Sequence, residues 1–285
     1  MTEVKFNIDV GALATPITRL VEMADRHLDP FRIRRAADAE AYARMAAAKA
    51  EIEIGQWKDD AEIARMERAI RGFGRMLGQL ELEQGNLEAI FEIAEGRLPA
   101  SGQPGTVDEG WAGTFMDAAK YASDEHVREM FARLLAAEVT TPGAYSKRTL
   151  RTLQNLSPDE ARVFTLACCL SLRFNSITFL PIGTDSSPTG MSFGDCLILD
   201  NCGLLHATGS LTWTVDAGAK LAFASGERIQ VESQQPGAEI PCYPFTLDAV
   251  ELSKVVSAVT PTGFVEATVR LLRDGHRLQV TRLSP

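Results

Sequence analysis

The feature that most constrains this chain is a ladder of residues spaced alternately three and four apart in its first third. Its rungs are Ile63, Met66, Ile70, Phe73, Leu77, Leu80, Gln84, Leu87, Phe91, Ala94 and Leu98, and Gln84 is the one polar member. On an α-helix this spacing makes a single apolar seam, the pattern of bundles and coiled coils. With Ile63, Ile70, Leu77, Gln84, Phe91 and Leu98 at a and the others at d, the e positions are Glu67, Gly74, Glu81, Glu88 and Glu95. A parallel homodimer would set Glu62 against Glu67 and Glu83 against Glu88, which is unfavourable. Met76 and Ile90 widen the stripe toward the three-sevenths face of a bundle helix. The pattern therefore favours a multi-helix bundle over a two-stranded zipper. Gly72, Gly74, Gly78 and Gly85 lie off the seam, and each costs about 1 kcal/mol relative to Ala. Gly74 and Gly78 share a face, and either a close helix approach there or a break between Gly72 and Gly78 is expected.

The length, 285 residues, predicts a full core and about two domains. A net charge of -9 argues against nucleic-acid binding through overall charge, leaving only local basic faces. No apolar run approaches a membrane span. The start, MTEVKFNIDVGALATP, lacks the basic-then-apolar order of a secretory signal. The five cysteines show no metal-ligand spacing and fit buried free thiols in a reducing compartment.

The remaining elements follow from periodicity and caps. Ile17 to Leu28 forms an amphipathic stretch ended by Asp29-Pro30, and an Ala/Arg/Glu-rich helix precedes the seam. ASGQPG after Leu98 reads as a linker. Four helices are expected from Asp108 to Phe174. They are capped by Asp108, by Ser123, by Ser146, and by Ser157-Pro158-Asp159-Glu160, a capping box with Pro at the first helical position. The last runs through CCLSLRF. Beyond Phe174, SLTWTV, KLAFA, RIQVE and LQVTRL read as strands, with turns at Asp216-Ala217-Gly218 and Ser225-Gly226. Helices around Leu247 to Val259, capped by Thr246, and Phe264 to Arg273 interrupt them. The fold class is α+β: a long-helix assembly region over 1–98, a compact helical domain over 99–174, and a small, mostly antiparallel β domain with two helices over 175–285.

Several stretches resemble a bacterial family, Domain of Unknown Function 2806. They are DPFRIRRAADAEA, RGFGRMLGQLELEQGNLEAIFEIAEGRLP, the run from VDEGWAGTF to RTLQNLS, and FTLDAVELSKVV. Asn86 to Ile90, Trp111, Ala132 to Leu135 and Pro142-Gly143 fit its motifs. Phe131 stands where the family commonly has Trp, and Ala249 where Gly is common, so no left-handed turn is expected at Ala249. The resemblance covers about Asp29 to Ser157 well and the β tail poorly. It implies no established activity. It points to an accessory bacterial protein, with phage defence or mobile elements as the setting.

No residue pattern marks a catalytic centre, and no cofactor or metal is expected. His27, His126, His206 and His276 are dispersed, and Asp124, Glu125 and His126 read as a first-turn charge cluster. GDCLILDNCG matches no phosphate-binding loop, and TDSSPTG, with Ser186 and Ser187, reads as a surface loop. Arg32, Arg34 and Arg35 are a basic cluster that pairs with Asp38 and Glu40 or, alternatively, meets a phosphate backbone or an anionic membrane surface beside Ile17 to Leu28. Lys147, Arg148 and Arg151 form a second basic patch at a helix start, against the dipole preference. Pairing with the Glu-rich e face of the seam helix is its expected role, and anion binding the alternative. Trp213 and Phe223 belong to a half-buried sheet face, with base stacking as the competing use. Together these observations predict a cytoplasmic, non-enzymatic, homo-oligomeric scaffold or sensor that meets a protein partner. A nucleic-acid module and a membrane-surface protein are the alternatives.

Overall fold

The computed structural model describes residues 37–38, 40–48, 60–98, 107–182, 191–208, 211–215, 218–233, 238–261 and 263–283. The Ile17 to Leu28 stretch, Arg32, Arg34 and Arg35, the Ser186-Ser187 loop, Asp216-Ala217 and the side chain of Ile63 lie outside the described residues.

The ladder folds as one unbroken helix, α1 (Asp60–Glu95), of 36 residues. At 1.5 Å per residue it is about 54 Å long. The expected break at Gly72 to Gly78 does not occur. Neither does a close approach, since a Cβ added at Gly74 or Gly78 would meet nothing within 4 Å.

Four helices follow: α2 (Glu109–Ala119), α3 (Glu125–Thr140), α4 (Lys147–Asn155) and α5 (Pro158–Cys169). Their starts are set by local chemistry. Asp108 accepts from Trp111 N, Ser146 from Thr149 N, and Ser157 and Glu160 form the reciprocal capping box. The second cap is Asp124, one residue later than expected, because its carboxylate reaches both His126 N and Val127 N. An anion at that position also answers the positive helix end. A run of rings ties the first three helices together. Phe91 meets Phe115 edge-on, Trp111 stacks on Phe115 at 5.3 Å, and Phe115 meets Phe131 edge-on at 5.9 Å.

The fourth helix stops at Cys169 and does not run through CCLSLRF. Leu172–Phe174 is strand β1, which turns at Asn175-Ser176 into β2 (Ile177–Pro181). Asn175 takes φ 52°, a left-handed geometry that Asn tolerates better than most residues. Next come α6 (Phe193–Asn201), β3 (Thr212–Thr214), β4 (Ala219–Phe223), β5 (Arg228–Ser233) and β6 (Glu239–Pro244). The chain continues through α7 (Leu247–Ser253), α8 (Phe264–Arg270), a π-helical turn (Leu271–Gly275) and β7 (Leu278–Leu283). The seven strands form one antiparallel sheet in the order β3-β6-β2-β1-β4-β5-β7. This is the α+β architecture expected, with more strands and an extra helix, α6, closed at its start by a Ser192–Asp195 capping box. The helix at Leu247 is shorter than expected and ends at Ser253. One continuous apolar core runs from Leu87 through Phe179 and Val231 to Leu278.

Because the space around Gly74 and Gly78 is open, Gly74→Ala and Gly78→Ala each stabilise α1 by about 1 kcal/mol. Amide hydrogen exchange over residues 66–80 will read this as roughly fivefold slower exchange per substitution.

Candidate functional site

The seam changes environment along α1. Gln84, Leu87, Ile90, Phe91 and Ala94 are buried against the helical block. From Ala64 to Leu82 no side chain of α1 is buried, and Met66, Ile70, Phe73, Leu77 and Leu80 form a half-buried stripe. The opposite face carries Leu82, 71% exposed. The same three-and-four spacing therefore serves an internal core at one end of the helix and a partly open face at the other.

The changeover is held by Asn86. Its Nδ2 donates to the Lys120 carbonyl at 2.8 Å, and its Oδ1 accepts from Arg128 Nη2 at 2.7 Å. Arg128 Nε also donates to the Ala122 carbonyl at 2.9 Å. One amide thus fixes α1 against the end of α2 and the start of α3.

The basic patch on α4 does not meet the glutamates of α1. Lys147 Nζ lies 3.2 Å from Asp108, Arg151 Nη1 donates to Asp117 at 3.0 Å, and Arg148 Nε donates to Asp248 at 2.7 Å. The reason is tertiary: α4 packs between α2 and α7, whereas α1 packs on α2 and α3. Each of the three cations already faces a carboxylate, so phosphate binding by this patch would have to displace it.

The contact between α4 and α7 is a polar junction. Buried Asp248 also accepts from Thr152 Oγ1 at 3.0 Å. Glu251 Oε2 accepts from Ser146 N at 2.9 Å and Thr149 Oγ1 at 2.5 Å. Behind it, Glu138 is 1% exposed and accepts from Gly143 N at 2.6 Å and Tyr145 N at 3.1 Å. It thereby closes the Thr141-Pro142-Gly143 turn, where Gly143 sits at φ 81°. Trp111 Nε1 donates to the Tyr145 carbonyl at 3.0 Å. Burial pushes the Glu138 carboxyl above the ordinary 4.5, outweighing the pull of the Gly143, Tyr145 and Ala144 N–H groups, and Glu251 adds to the rise. Burial, then Glu138 and Glu251, raise Tyr145. These residues accept and donate within a closed junction. Glu138, Asp248 and Glu251 carry no catalytic or ligand motif in the sequence, although the last two lie in the FTLDAVELS stretch that resembles the family.

Other candidates are absorbed by structure. Trp213 packs on Phe174 at 4.9 Å and Phe179 at 5.5 Å, and Phe223 meets Phe264 edge-on. Asp124 caps α3 and pairs with Arg162, while His126 Nε2 contacts Thr165 Oγ1 at 2.8 Å. Glu40 pairs with Arg44. Burial raises Cys168 well above the ordinary thiol value and Cys202 and Cys242 to about 11, which keeps them protonated and unreactive. Among the described residues, no group of three or more His, Cys, Asp or Glu could hold a metal ion.

A family model described as a protein of unknown function (DUF2806) matches residues 70–268. The chain belongs to this family. The DUF2806 match runs from Ile70 in α1 to Thr268 in α8, so it takes in the junction and most of the sheet as well as the helical block. It thus reaches further into the β tail than the resemblance in the sequence did, and residues 29–69 lie outside it. Comparison with the curated proteins and with the solved structures found no match. Among the described residues of this DUF2806 protein, no helix is long and apolar enough to cross a membrane.

Glu138→Ala strands the Gly143 and Tyr145 N–H groups, and its expected cost is about 3 kcal/mol. The unfolded chain releases the Glu138 proton near 4.5 and the folded chain releases it at higher pH. The contribution of Glu138 is therefore full below the unfolded value and falls as pH rises through the raised one. Urea unfolding of both proteins between about pH 4 and pH 8 will show the stability gap narrowing as pH rises.

Proposed function

We propose that this DUF2806 protein is a non-enzymatic scaffold or sensor that assembles with further copies of itself through the first half of α1. The observation that carries this is the half-buried stripe of Met66, Ile70, Phe73, Leu77 and Leu80, continuous with the seam that is buried from Gln84 onward. An apolar stripe at heptad spacing gains free energy when a second helix covers it. The Met76 widening and the like charges of Glu62 and Glu67 that a parallel pair would face favour a bundle of several helices. In this reading the helical block and the sheet, joined through the Asp248 and Glu251 junction, present a recognition surface to a protein partner. A cytoplasmic setting fits the raised, unreactive thiols. The nucleic-acid alternative loses one support, since Lys147, Arg148 and Arg151 each face a carboxylate.

Light scattering on the purified full-length protein, with the 260/280 absorbance ratio read on the same peak, tests the proposal. The expected result is a defined oligomer free of nucleic acid at micromolar concentration. Covering a large apolar side chain is worth about 1.5–3 kcal/mol, so Phe73→Asp with Leu77→Asp weakens assembly by at least about a hundredfold. Leu82→Asp, on the opposite face, leaves the mass unchanged. A monomeric wild type overturns the proposal, as does a double variant that assembles like the wild type.

A further inference from the structure

Where α1 ends, two arginines converge on one carboxylate oxygen. Arg97, in the turn that closes α1, and Arg133, on α3, both donate to Glu129 Oε1. The three side chains are only partly open to solvent, at 38%, 27% and 27% exposure for Arg97, Arg133 and Glu129. One carboxylate cannot neutralise two guanidiniums, so the cluster holds a surplus positive charge at a half-open surface, in a chain whose net charge is -9. Such a charge attracts an anion, with a strength that the solvent at this open surface screens.

The two arginines also line an open groove of about 400 Å³. Its floor is Ala136, Ala137 and Ala144, short side chains that leave the space unfilled. Thr140 lies beside them, its hydroxyl turned back onto the Ala136 carbonyl at 2.7 Å. The groove therefore offers a cationic end and a largely apolar bed, the two parts needed to hold a small amphipathic anion. A guanidinium has five N–H donors in a planar fork. Arg97 and Arg133 can therefore keep Glu129 and still receive a second carboxylate.

We propose that this groove binds a small organic acid carrying a single carboxylate, held between Arg97 and Arg133, with its apolar body on the alanine floor. The charge count selects the ligand class. One negative charge brings the two arginines and Glu129 to neutrality, whereas a phosphate dianion overshoots it. The site is independent of the assembly proposal, since it lies on the buried end of the seam helix and needs no second copy.

The test is isothermal titration calorimetry of the full-length protein with benzoate. Phenyl phosphate, benzyl alcohol and chloride at matched ionic strength serve as comparisons. The expected result is saturable binding of benzoate in the millimolar range or tighter, none by benzyl alcohol or chloride, and weaker binding by phenyl phosphate. Arg97→Gln and Arg133→Gln each weaken benzoate at least tenfold. Glu129→Gln, which removes the built-in competitor, tightens it severalfold, a gain that a purely structural role for the cluster would not produce. Absence of benzoate binding, binding unchanged in both arginine variants, or tighter binding of phenyl phosphate overturns the assignment.

Discussion

The amide of Asn86 touches three elements at once, and the behaviour of α1 on either side of it follows from that. It donates to the carbonyl that ends α2 and accepts from Arg128 on α3, and Arg128 holds the Ala122 carbonyl between those helices. A side-chain amide that is 9% exposed has little water to turn to, so these bonds cannot be exchanged cheaply. Past Asn86 the helix is part of the core, and Leu87, Ile90, Phe91 and Ala94 join the ring stack of Trp111, Phe115 and Phe131. Before it, from Ala64 to Leu82, no side chain is buried. An anchor at one end and an incompletely covered stripe at the other leave this helix with an apolar stripe outside the core.

The second joint has a different chemistry. The α4–α7 contact is made by two carboxylates from α7, Asp248 and Glu251, received by hydroxyls, a guanidinium and a backbone N–H from α4 and its cap. Polar junctions of this kind contribute less net stability than an apolar contact of the same size, because desolvation offsets much of the attraction. What they supply is geometry: Ser146, Thr149 and Thr152 recur at helical spacing and, with Arg148, meet Asp248 and Glu251 on α7. Ala249, fully buried between the two acids, packs against the core in the first turn of that helix. No left-handed turn interrupts α7 at this residue.

Much of this was written locally in the sequence. Asp108, Ser146, Ser157 with Glu160, and Thr246 all cap the helices they announce, because a cap involves only residues within three or four positions. The seam was legible for the same reason. Sequence and structure part where a distant partner decides the outcome. The apolar run CCLSLRF reads as helix until the Asn175-Ser176 turn allows Leu172–Phe174 to pair with both β2 and β4. Strand β6 was hidden by Pro241 and Pro244, which lack the N–H an interior strand normally uses. Their carbonyls nevertheless accept from Ile182 N and His206 N. For Lys147, Arg148 and Arg151 the sequence showed three cations in need of carboxylates, but which carboxylates depends on the path of the chain from α2 to α7. Glu138 is the least legible of all. Its role rests on a turn five to seven residues later folding back over it.

Gln84 shows where local pattern and global packing meet. As the one polar rung it would normally be the exposed member of a seam, yet it is 6% exposed and donates through Nε2 to Glu88 while Oε1 finds no hydrogen-bond partner. An unanswered buried oxygen costs on the order of 1–3 kcal/mol. A leucine there would extend the apolar seam without interruption from Met66 to Phe91, and a helix with such a seam can slide by a heptad against its partners at little cost. The polar rung breaks that equivalence. It lies two residues before Asn86, so the irregularity in the seam coincides with the point where α1 is clamped. Gln84 is thus the first buried rung of the ladder among the described residues, and it sits beside the clamp.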